Sequence, residues 1–406
     1  MSQFTAGAAV AQEEVSLSRG SLVVSEALAF ETVLEAALGN APAARSEANL
    51  RATAEAYDAL GNSWVSSRPS LQLSYYDDSP LDDVGLREIE SGVSFNLWRP
   101  GERDDTATLG DRHQERLEAW QGHLRLMVAG QVRAVLAELA AAESLLDIAR
   151  QADSEAQRLV TITTDMAEAG ASAQSDVLQA RTLRLQRQQA VIQARTRLAS
   201  AEQAYAVLTG LAMRPAARLV EVIEPAVAIP QSHPTLHFLQ TQLAIASAKV
   251  NLARHQASGR PALSLGVRRE RGDRLQPYID SLAVSVSVPI GKSPATAASV
   301  GLARSDEVDA EVTLIETRRQ LEQRRAQIDQ ELALLGESVQ LGVEQVAITA
   351  QRYEMSIAAF EVGEIDLTQV VIAQQQATQA RMDLETLRLR RQRISSEYNQ
   401  IIGVLP

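Results

Sequence analysis

Cysteine is absent from the 406-residue sequence. Its absence excludes disulfides, thiolate metal sites and cysteine nucleophiles, and it is compatible with export. Aromatic residues make up only 4% of the chain, while Ala, Leu, Gln, Arg and Glu fill long stretches. This composition favours long helices packed along narrow seams over a thick globular core. An uncharged apolar run of about 18 residues is also lacking, so we expect no membrane-spanning helix, and a crossing would require a β-barrel.

Basic surface is scarce as well, because the formal net charge is −12. Phosphate binding needs clustered Lys and Arg, so no nucleic-acid partner is predicted. An acidic conduit that attracts cations would carry such a charge, and so would an ordinary protein with an acidic surface. The net charge alone leaves both interpretations open.

Residues 1–24 form an N-terminal segment in which Ala9-Val10-Ala11, followed by Gln12, resembles the small-residue end of a signal peptide. The basic and apolar regions that normally precede such an end are missing. Two interpretations stay open: the segment is a signal-peptide remnant whose true start lies upstream, or the chain is not exported. In both, residues 1–24 belong to neither of the two structural repeats.

The remainder of the chain is a tandem repeat. Three blocks recur at offsets of 191 to 193 residues: Arg68–Leu73 with Arg260–Leu265, Val93–Leu97 with Val284–Val288, and Gly170–Gly210 with Gly363–Gly403. Near-constant offsets over three blocks indicate two copies of one structural unit. Each copy is predicted to contain a helix, two strands, a long helix, a tight turn and a second long helix. The predicted copies are residues 25–210 and 233–406, joined by a linker at 211–232.

The four strands are predicted from apolar residues that alternate with small polar ones. Each strand has about the 9–11 residues that cross a bilayer at a tilt. An apolar face opposite a polar face is typical of a barrel that has lipid outside and water inside. An amphipathic hairpin on a soluble core would alternate in the same way. The residues predicted to face lipid are Leu71, Leu73, Phe95, Leu97, Leu263, Leu265, Val284 and Val286. Those predicted to face the lumen are Ser70, Gln72, Ser94, Asn96, Ser264 and Ser285.

The helices are predicted to be too long for an ordinary domain. No proline occurs between Glu102 and Glu168, and Pro294 is the last one before Pro406. A helix of about 66 residues would measure about 100 Å. Apolar residues after the first turn follow steps of three and four: Val191, Ala194, Leu198, Ala201, Tyr205 and Leu208. Their repeat partners Leu384, Leu387, Ile394, Tyr398 and Ile401 do the same, with Arg391 as the one break. Both sets predict coiled-coil seams.

Four strands cannot close a barrel, since small closed barrels need about eight. Open sheet edges are not tolerated in lipid. A chain of this kind must therefore borrow strands from copies of itself, and three copies would supply twelve strands, an even number within the observed range.

The sequence contains only weak matches to catalytic or ligand-binding motifs. Gly291-Lys292-Ser293 resembles the end of a phosphate-binding loop, but the glycine required five positions earlier is Val286, so we reject that interpretation. His233 and His237 have helical i,i+4 spacing, yet Pro234 lies between them and no paired carboxylate accompanies them. Surface histidines are the simpler explanation. No catalytic site, cofactor or metal site is predicted, and the protein is not expected to be an enzyme.

Two glycine turns connect the long helices, at Gly170 and Gly363. Glycine there supplies the left-handed residue that ends a helix, and Asp176 and Thr368 are the polar residues expected near the following helix starts. A plain helical hairpin would need the same glycines. If the helices form a tube, the turns are its far tips, where partners dock. The predicted docking residues are Gly170, Ser172, Asp176, Val177, Gly363, Glu364 and Ile365.

From about Ser25 to Leu405 the sequence resembles the TolC-like outer-membrane efflux proteins. The resemblance rests on the tandem repeat, on the Arg-Pro pairs before the strands, and on the tips Gly170-x5-Asp176-Val177-Leu178-x-Ala180 and Gly363-x6-Val370-Val371-x-Ala373. The strand exits at Pro100-Gly101 and Pro289-Ile290-Gly291 resemble the cobalt–zinc–cadmium branch more than the multidrug branch.

The resemblance implies a mainly α fold with a β-barrel segment. Three protomers would close a twelve-stranded barrel in the Gram-negative outer membrane and an α-helical barrel across the periplasm. The tips would meet a periplasmic adaptor that couples the duct to an inner-membrane pump, in a tripartite efflux or type I secretion system. The substrate, metal cations in the branch named above, would pass without an energy source in the duct.

The chain departs from the family at the pore constriction. Acidic positions that often narrow the pore past the second tip hold Gln369 and Ile372 here. The candidate aperture is therefore Asp176, Glu364, Asp366 and Gln369. The cysteine that anchors some members to lipid is absent. The alternative function is a soluble periplasmic coiled-coil adaptor or scaffold, which would share the heptads but would not need four repeated strands.

Overall fold

A computed structural model describes residues 22–79, 82–223, 228–256, 259–291 and 294–405. The signal-peptide-like segment up to residue 21, the pair Lys292-Ser293 and part of the predicted linker lie outside the described residues. A short strand β1 (Val23–Ser25) precedes the first half. The first half then contains α1 (Phe30–Asn40), α2 (Arg45–Asn62), β2 (Ser70–Asp77), β3 (Arg87–Asn96), α3 (Glu102–Glu168) and α4 (Gln174–Thr209). After β4 (Met213–Pro215), the second half contains α5 (Pro234–Gln256), β5 (Ala262–Arg271), β6 (Ile279–Ser287), α6 (Pro294–Glu361) and α7 (Leu367–Ile402).

Glycines flank the long helix α3. Gly101 before α3 and Gly170 after it have φ of 82° and 73°, which side chains with a Cβ rarely adopt. The predicted helix Glu102–Glu168 is confirmed with 67 residues, and α6 has 68. At about 1.5 Å per residue, each is about 100 Å long.

The helices form one layer that is four helices wide along its length. In the half beside the hairpin tips, α3 packs against α4 and α7, and α7 packs against α6. In the half beside the sheet, α3 packs against α2 and α5, and α5 packs against α6. The central positions therefore belong to α3 and to the α5–α7 pair. One edge consists of α2 and α4, and the other consists of α6.

The predicted coiled-coil seams are confirmed by burial. Val191, Ala194, Ala201 and Tyr205 are buried in α4, and Leu384, Ile394, Tyr398 and Ile401 are buried in α7. Leu198, Leu208 and Leu387 are partly buried beside them. Arg391, the break in the second seam, is exposed.

Four antiparallel strands form the main sheet in the order β2-β3-β5-β6. The central pair joins the two halves, with Arg87 opposite Arg271 at one end and Asn96 opposite Ala262 at the other. Strands β2 and β6 are the sheet edges. A second, unpredicted sheet pairs β1 with β4 in parallel, from Val23 opposite Met213 to Ser25 opposite Pro215.

An ion pair fixes the sheet to the start of α3. The Glu102 side chain is fully buried, and its Oε1 accepts hydrogen bonds from Arg260 Nε at 2.8 Å and Nη2 at 2.7 Å. Arg260 is the arginine of the second repeated Arg-Pro pair, so this motif aligns β5 with the helix. Within the described ranges, none of the helices has an apolar stretch of the length and hydropathy needed to cross a membrane.

Candidate functional site: the sheet faces, the hairpin tips and the free edges

The sheet register sorts side chains into an apolar face and a polar face. Leu71, Val93, Leu265 and Val284 lie opposite one another in a row across all four strands. The neighbouring row on the other face is Ser70, Ser94, Ser264 and Ser285. Seven of the eight residues predicted to face lipid lie in strands on the apolar face. The eighth, Leu97, follows the end of β3, where its N–H donates to the Pro261 carbonyl at 2.8 Å.

The apolar face is exposed in the single chain. Leu71 is 79% exposed, Leu73 is 74% exposed and Val286 is 64% exposed, whereas Phe95 and Leu263 are half-buried. Aromatic side chains lie towards its two ends. Trp64 stands 5.4 Å from the Phe95 ring, and Tyr75 is exposed near the loop end. Such an exposed apolar band between aromatic residues is typical of a surface that contacts lipid or protein.

The polar face becomes charged towards the loop end of the sheet. Arg268 donates to Glu88 at 2.7 Å and also pairs with Glu270. Glu90 lies on the same face, opposite Arg268. Further along, Gly92 and Gly266 pair where a Cβ would meet backbone atoms of the neighbouring strand at 2.9 Å and 2.6 Å. Only glycine fits this close approach.

The hairpin tips are closed by glycine and by carboxylate caps. The Asp176 carboxylate accepts hydrogen bonds from Ser172 Oγ at 2.8 Å and from the Ala173 N–H at 3.4 Å. At the second tip Asp366 is the N-cap of α7, and its Oδ1 accepts the Gln369 N–H at 3.0 Å. The expected cap near Thr368 is therefore corrected to Asp366. The correction arises because a cap residue must precede the helix, and Thr368 already lies in its first turn.

The predicted docking residues differ in their accessibility. Gly170, Gly363 and Glu364 are exposed, while Ser172 and Ile365 are half-buried. Val177 is only 1% exposed, so its side chain supports the tip from within and is not part of the accessible surface. Val362 and Leu178, 72% and 57% exposed, are apolar tip residues that were not among the predicted docking residues, although Leu178 belongs to the first tip motif.

The candidate aperture residues are divided between the two tips. Glu364, Asp366 and Gln369 lie within six consecutive residues at the second tip, and Asp176 lies at the first. Since the Asp176 and Asp366 carboxylates cap helices, Glu364 and Gln369 retain the uncommitted side chains of this set. Among the described residues, no group of three or more histidine or acidic side chains is arranged to hold a metal ion. The expectation of surface histidines is wrong for His233, which is buried, whereas His237 is exposed.

An apolar cluster behind the tips joins all four long helices. Its largest side chains are Leu159 of α3, Leu183 of α4, Tyr353 and Phe360 of α6, and Leu367 of α7. Burial raises the pKa of the Tyr353 hydroxyl, with a further contribution from Glu155. The two hairpin tips are therefore held together as one unit.

The two edge helices carry exposed apolar stripes. On α6 an apolar residue recurs every seventh position, at Leu334, Leu341, Ile348 and Met355, and the series continues to Val362 just after the helix ends. Each of the five is at least 58% exposed. On α4 the stripe is Leu178, Leu185 and Ile192, each at least 57% exposed. A seven-residue apolar repeat is typical of a coiled-coil surface, and here no helix of the described chain covers it.

Charges of opposite sign flank the two stripes. Three positions after a stripe residue, α4 has Arg181 and Arg195, and α6 has Glu337 and Glu344. All four side chains are exposed. Flanking charges of this kind select the partner and the register of a coiled coil.

Solved structures of outer-membrane proteins and channels have a similar fold. The structure of CusC, described for its transmembrane channel formation, matches with a TM-score of 0.73 at 16% identity, over 95% of this chain and 94% of that one. The outer membrane protein VceC of Vibrio cholerae matches with a TM-score of 0.74 at 14% identity, over 92% and 96%. The Campylobacter jejuni CmeC outer membrane channel matches with a TM-score of 0.71 at 16% identity, over 92% and 85%.

No protein-family model matches the chain, and no curated protein matches it. At 14–16% identity the structural likeness bears on the fold. It confirms the predicted mainly helical protomer with a small sheet. The chain therefore has the fold seen in these solved outer-membrane proteins and channels.

Proposed function

We propose that three copies of the chain form a passive exit duct in the Gram-negative outer membrane, with its helical part in the periplasm. The proposal rests on one observation. At both edges of the layer, in the sheet and in the helices, surfaces that could pair with a further strand or helix are uncovered by the described part of the chain. Within the described residues, the sheet has two edge strands that no further strand pairs, and the helices have two exposed heptad stripes. A ring of identical copies would cover all four surfaces with one interface repeated three times.

At the level of the sheet, β6 of one copy would pair with β2 of the next. Three four-stranded sheets would then close into a twelve-stranded barrel. The row Leu71, Val93, Leu265 and Val284 would face lipid, and the serine row would face the lumen. An exposed charge-free row fits lipid, since a polar or charged group in hydrocarbon is costly.

At the level of the helices, α4 of one copy would pack against α6 of the next. The glycine tips set the register of this antiparallel pair. Leu178, Leu185 and Ile192 follow Gly170 by eight, fifteen and twenty-two residues. Met355, Ile348 and Leu341 precede Gly363 by the same three distances. With the tips level, each stripe residue on α4 therefore faces one on α6.

The same register pairs opposite charges. Arg195 comes level with Glu337, on the same side of the two stripes, because both follow a stripe residue by three positions. No like charges are opposed at this point. Shape and charge both favour a second copy of the chain as the occupant of the stripe.

The tips are the proposed docking site for a periplasmic adaptor, which would couple the duct to an inner-membrane pump. The exposed surfaces at Gly170, Gly363 and Glu364, together with Val362 and Leu178, support this role. Glu364 and Gln369 would line the aperture between the tips. The duct would have no energy source, and substrate would move down the tunnel after the pump loads it. Metal cations are the proposed substrate class, on the strand-exit residues and the acidic charge.

Site-directed cross-linking tests the proposal directly, because the chain has no native cysteine. We expect the double variant Leu185→Cys/Ile348→Cys to form a covalent trimer after mild oxidation in membranes. The matched control is Leu185→Cys/Met355→Cys, which shifts one partner by a heptad, or about 10 Å, beyond disulfide reach. Recovery of monomer from both variants, or equal cross-linking of both, would contradict the proposed seam. Recovery of the protein from the soluble fraction without detergent would favour the adaptor or scaffold alternative.

A further inference from the structure

Arg391 interrupts the apolar seam between α6 and α7, and the structure shows what the interruption creates. Leu384 and Leu387 lie beside Gly342 of α6 on one side of the break, where a Cβ on that glycine would meet their side chains at 3.2 Å and 3.6 Å, and Ile394 is buried on the other. An arginine side chain cannot fill the intervening position in an apolar interface without a partner. It is exposed instead, and the interface opens beside it.

The opening is a cleft of about 400 Å³. Its volume lies in the range of small-molecule sites. One wall is α7 and another is Val339 of α6, and the segment Val220-Glu221 closes the third side. The side chains that line it from α7 are Arg388, Arg391, Gln392 and Ser395. Two guanidiniums, an amide and a hydroxyl therefore line one pocket with apolar valine walls.

The cleft is basic, although the chain as a whole is acidic. The one carboxylate in its wall, Glu221, is neutralised by Arg133, which binds it at 2.7 Å and 3.0 Å with both side chains at least 92% buried. Arg388 lies 3.8 Å from Glu385, a carboxylate that also binds Arg218 at 3.0 Å. The Arg391 guanidinium has no hydrogen bond or ion pair within the described part of the chain.

The geometry points to a binding site for a small organic oxyanion, a molecule with a phosphate or carboxylate group on a compact apolar body. Guanidinium groups bind such groups through paired N–H donors, and they do so more strongly than a neutral donor would. Gln392 and Ser395 supply further polar contacts, and Val220 and Val339 pack against the body of the ligand. All of these residues belong to one copy, so the site does not depend on the duct proposal.

The test is binding to the full-length protein in a nonionic detergent, at constant ionic strength in chloride. Phenyl phosphate and benzoate are the oxyanion probes, and benzyl alcohol is the neutral probe of similar size. We expect at least one oxyanion to raise the midpoint of thermal unfolding, since a ligand that binds the folded state stabilises it. Benzyl alcohol should not raise it. Arg391→Gln should weaken oxyanion binding at least tenfold, and the control Arg319→Gln, at an exposed position on α6 far from the cleft, should leave it unchanged.

A second variant separates a binding role from a packing defect. Arg391→Leu restores the heptad, so it should raise the unfolding midpoint without ligand and abolish the response to phenyl phosphate. The proposal is overturned if Arg391→Gln binds the probes as the native chain does. It is also overturned if neither oxyanion exceeds benzyl alcohol, or if sulfate at equal ionic strength gives the same response.

Discussion

Helices α3 and α6 occupy equivalent places in the two repeats, yet they have opposite surroundings. They are 67 and 68 residues long, and each leads from the sheet to a hairpin tip. Buried residues occur along most of α3, from Glu102 to Thr163, whereas α6 buries six residues. The difference arises because α3 packs against helices on both sides and α6 lies at an edge. The two repeats thus form the same elements, and the position of each helix in the layer determines whether its surface is covered.

The contrast gives a physical meaning to the exposed stripe on α6. A soluble single chain rarely exposes so long a row of large apolar side chains. If α6 meets a second copy, its stripe becomes as buried as the equivalent surface of α3.

The largest effect is expected in β6, the edge strand that leads into α6. Val284→Arg places a charge on the proposed lipid face, where it costs about 2–4 kcal/mol per copy at mid-bilayer. Ser285→Arg places the same charge on the opposite face and should be tolerated. The amount of membrane-inserted, heat-resistant trimer, determined on gels, is the measurement for both variants. Equal damage from the two variants would show that the assigned faces are incorrect.

The next effect concerns the α6 stripe itself. Leu341→Asp/Ile348→Asp should abolish the trimer, because each large apolar side chain contributes about 1.5–3 kcal/mol when buried and carboxylates in the seam would be unpaired. Gln340→Asp adds charge at an exposed position of the same helix away from the stripe, and it should assemble normally. Size-exclusion chromatography with light scattering distinguishes the states. If the double variant remains trimeric, the α6 stripe is not part of the trimer interface.

The buried helix α3 is expected to make the stability of the protein depend on pH, and the exposed helix α6 is not. His113 of α3 is 5% exposed and stacks on Tyr57 at 4.8 Å, whereas the residues at the repeat offsets of 191 to 193 on α6, 304–306, are all exposed. Burial lowers the pKa of His113 to about 4, with Arg116 and Lys249 contributing. The unfolded chain binds the proton first, so stability should fall as pH decreases from about 6.5 to about 4, by on the order of 2–3 kcal/mol.

The matched variant for this prediction is His113→Phe, which keeps a ring against Tyr57 and cannot titrate. Denaturant unfolding of both proteins at pH 7, 5.5 and 4.5 measures the difference between them. The native chain should lose stability relative to the variant as the pH falls. Parallel curves would mean that the pKa of His113 is the same in the folded and unfolded chains.

The smallest effect is expected at the flanking charges. Arg195→Glu or Glu337→Arg alone should weaken the trimer by up to about 1 kcal/mol, and the double exchange should recover most of the loss. The effect should fade as salt is raised, since exposed ion pairs are screened. Trimer dissociation by denaturant at low and high salt provides the measurement. If the losses in trimer stability from the two single variants simply add in the double exchange, the two residues do not interact.

The sequence was informative wherever local chemistry decides the structure. The ends of α3 follow from Gly101 and Gly170, and the four strands follow from their alternation. The strand order could not be predicted, because the two repeats have the same pattern and nothing local selects β3 and β5 as the central pair. Strands β1 and β4 were missed because three residues are too few to show a period.

The candidate site was predictable in part. The tips were located by their glycines, but the cap at Asp366 and the burial of Val177 depend on where the helix starts and on its neighbours. The α6 stripe is visible in the sequence as an apolar residue at every seventh position. It was missed because only the structure shows that α6 is an edge helix. The apolar residues of its seven-residue pattern are therefore not buried against another helix of the same chain.

The most direct test of the account is single-particle imaging of the detergent-extracted full-length protein. We predict a three-fold tube about 100 Å long below a short barrel, with α4 of each copy beside α6 of the next and Leu185 level with Ile348. A water-soluble monomer, or a two-fold rod in which the α6 stripe faces solvent, would contradict it.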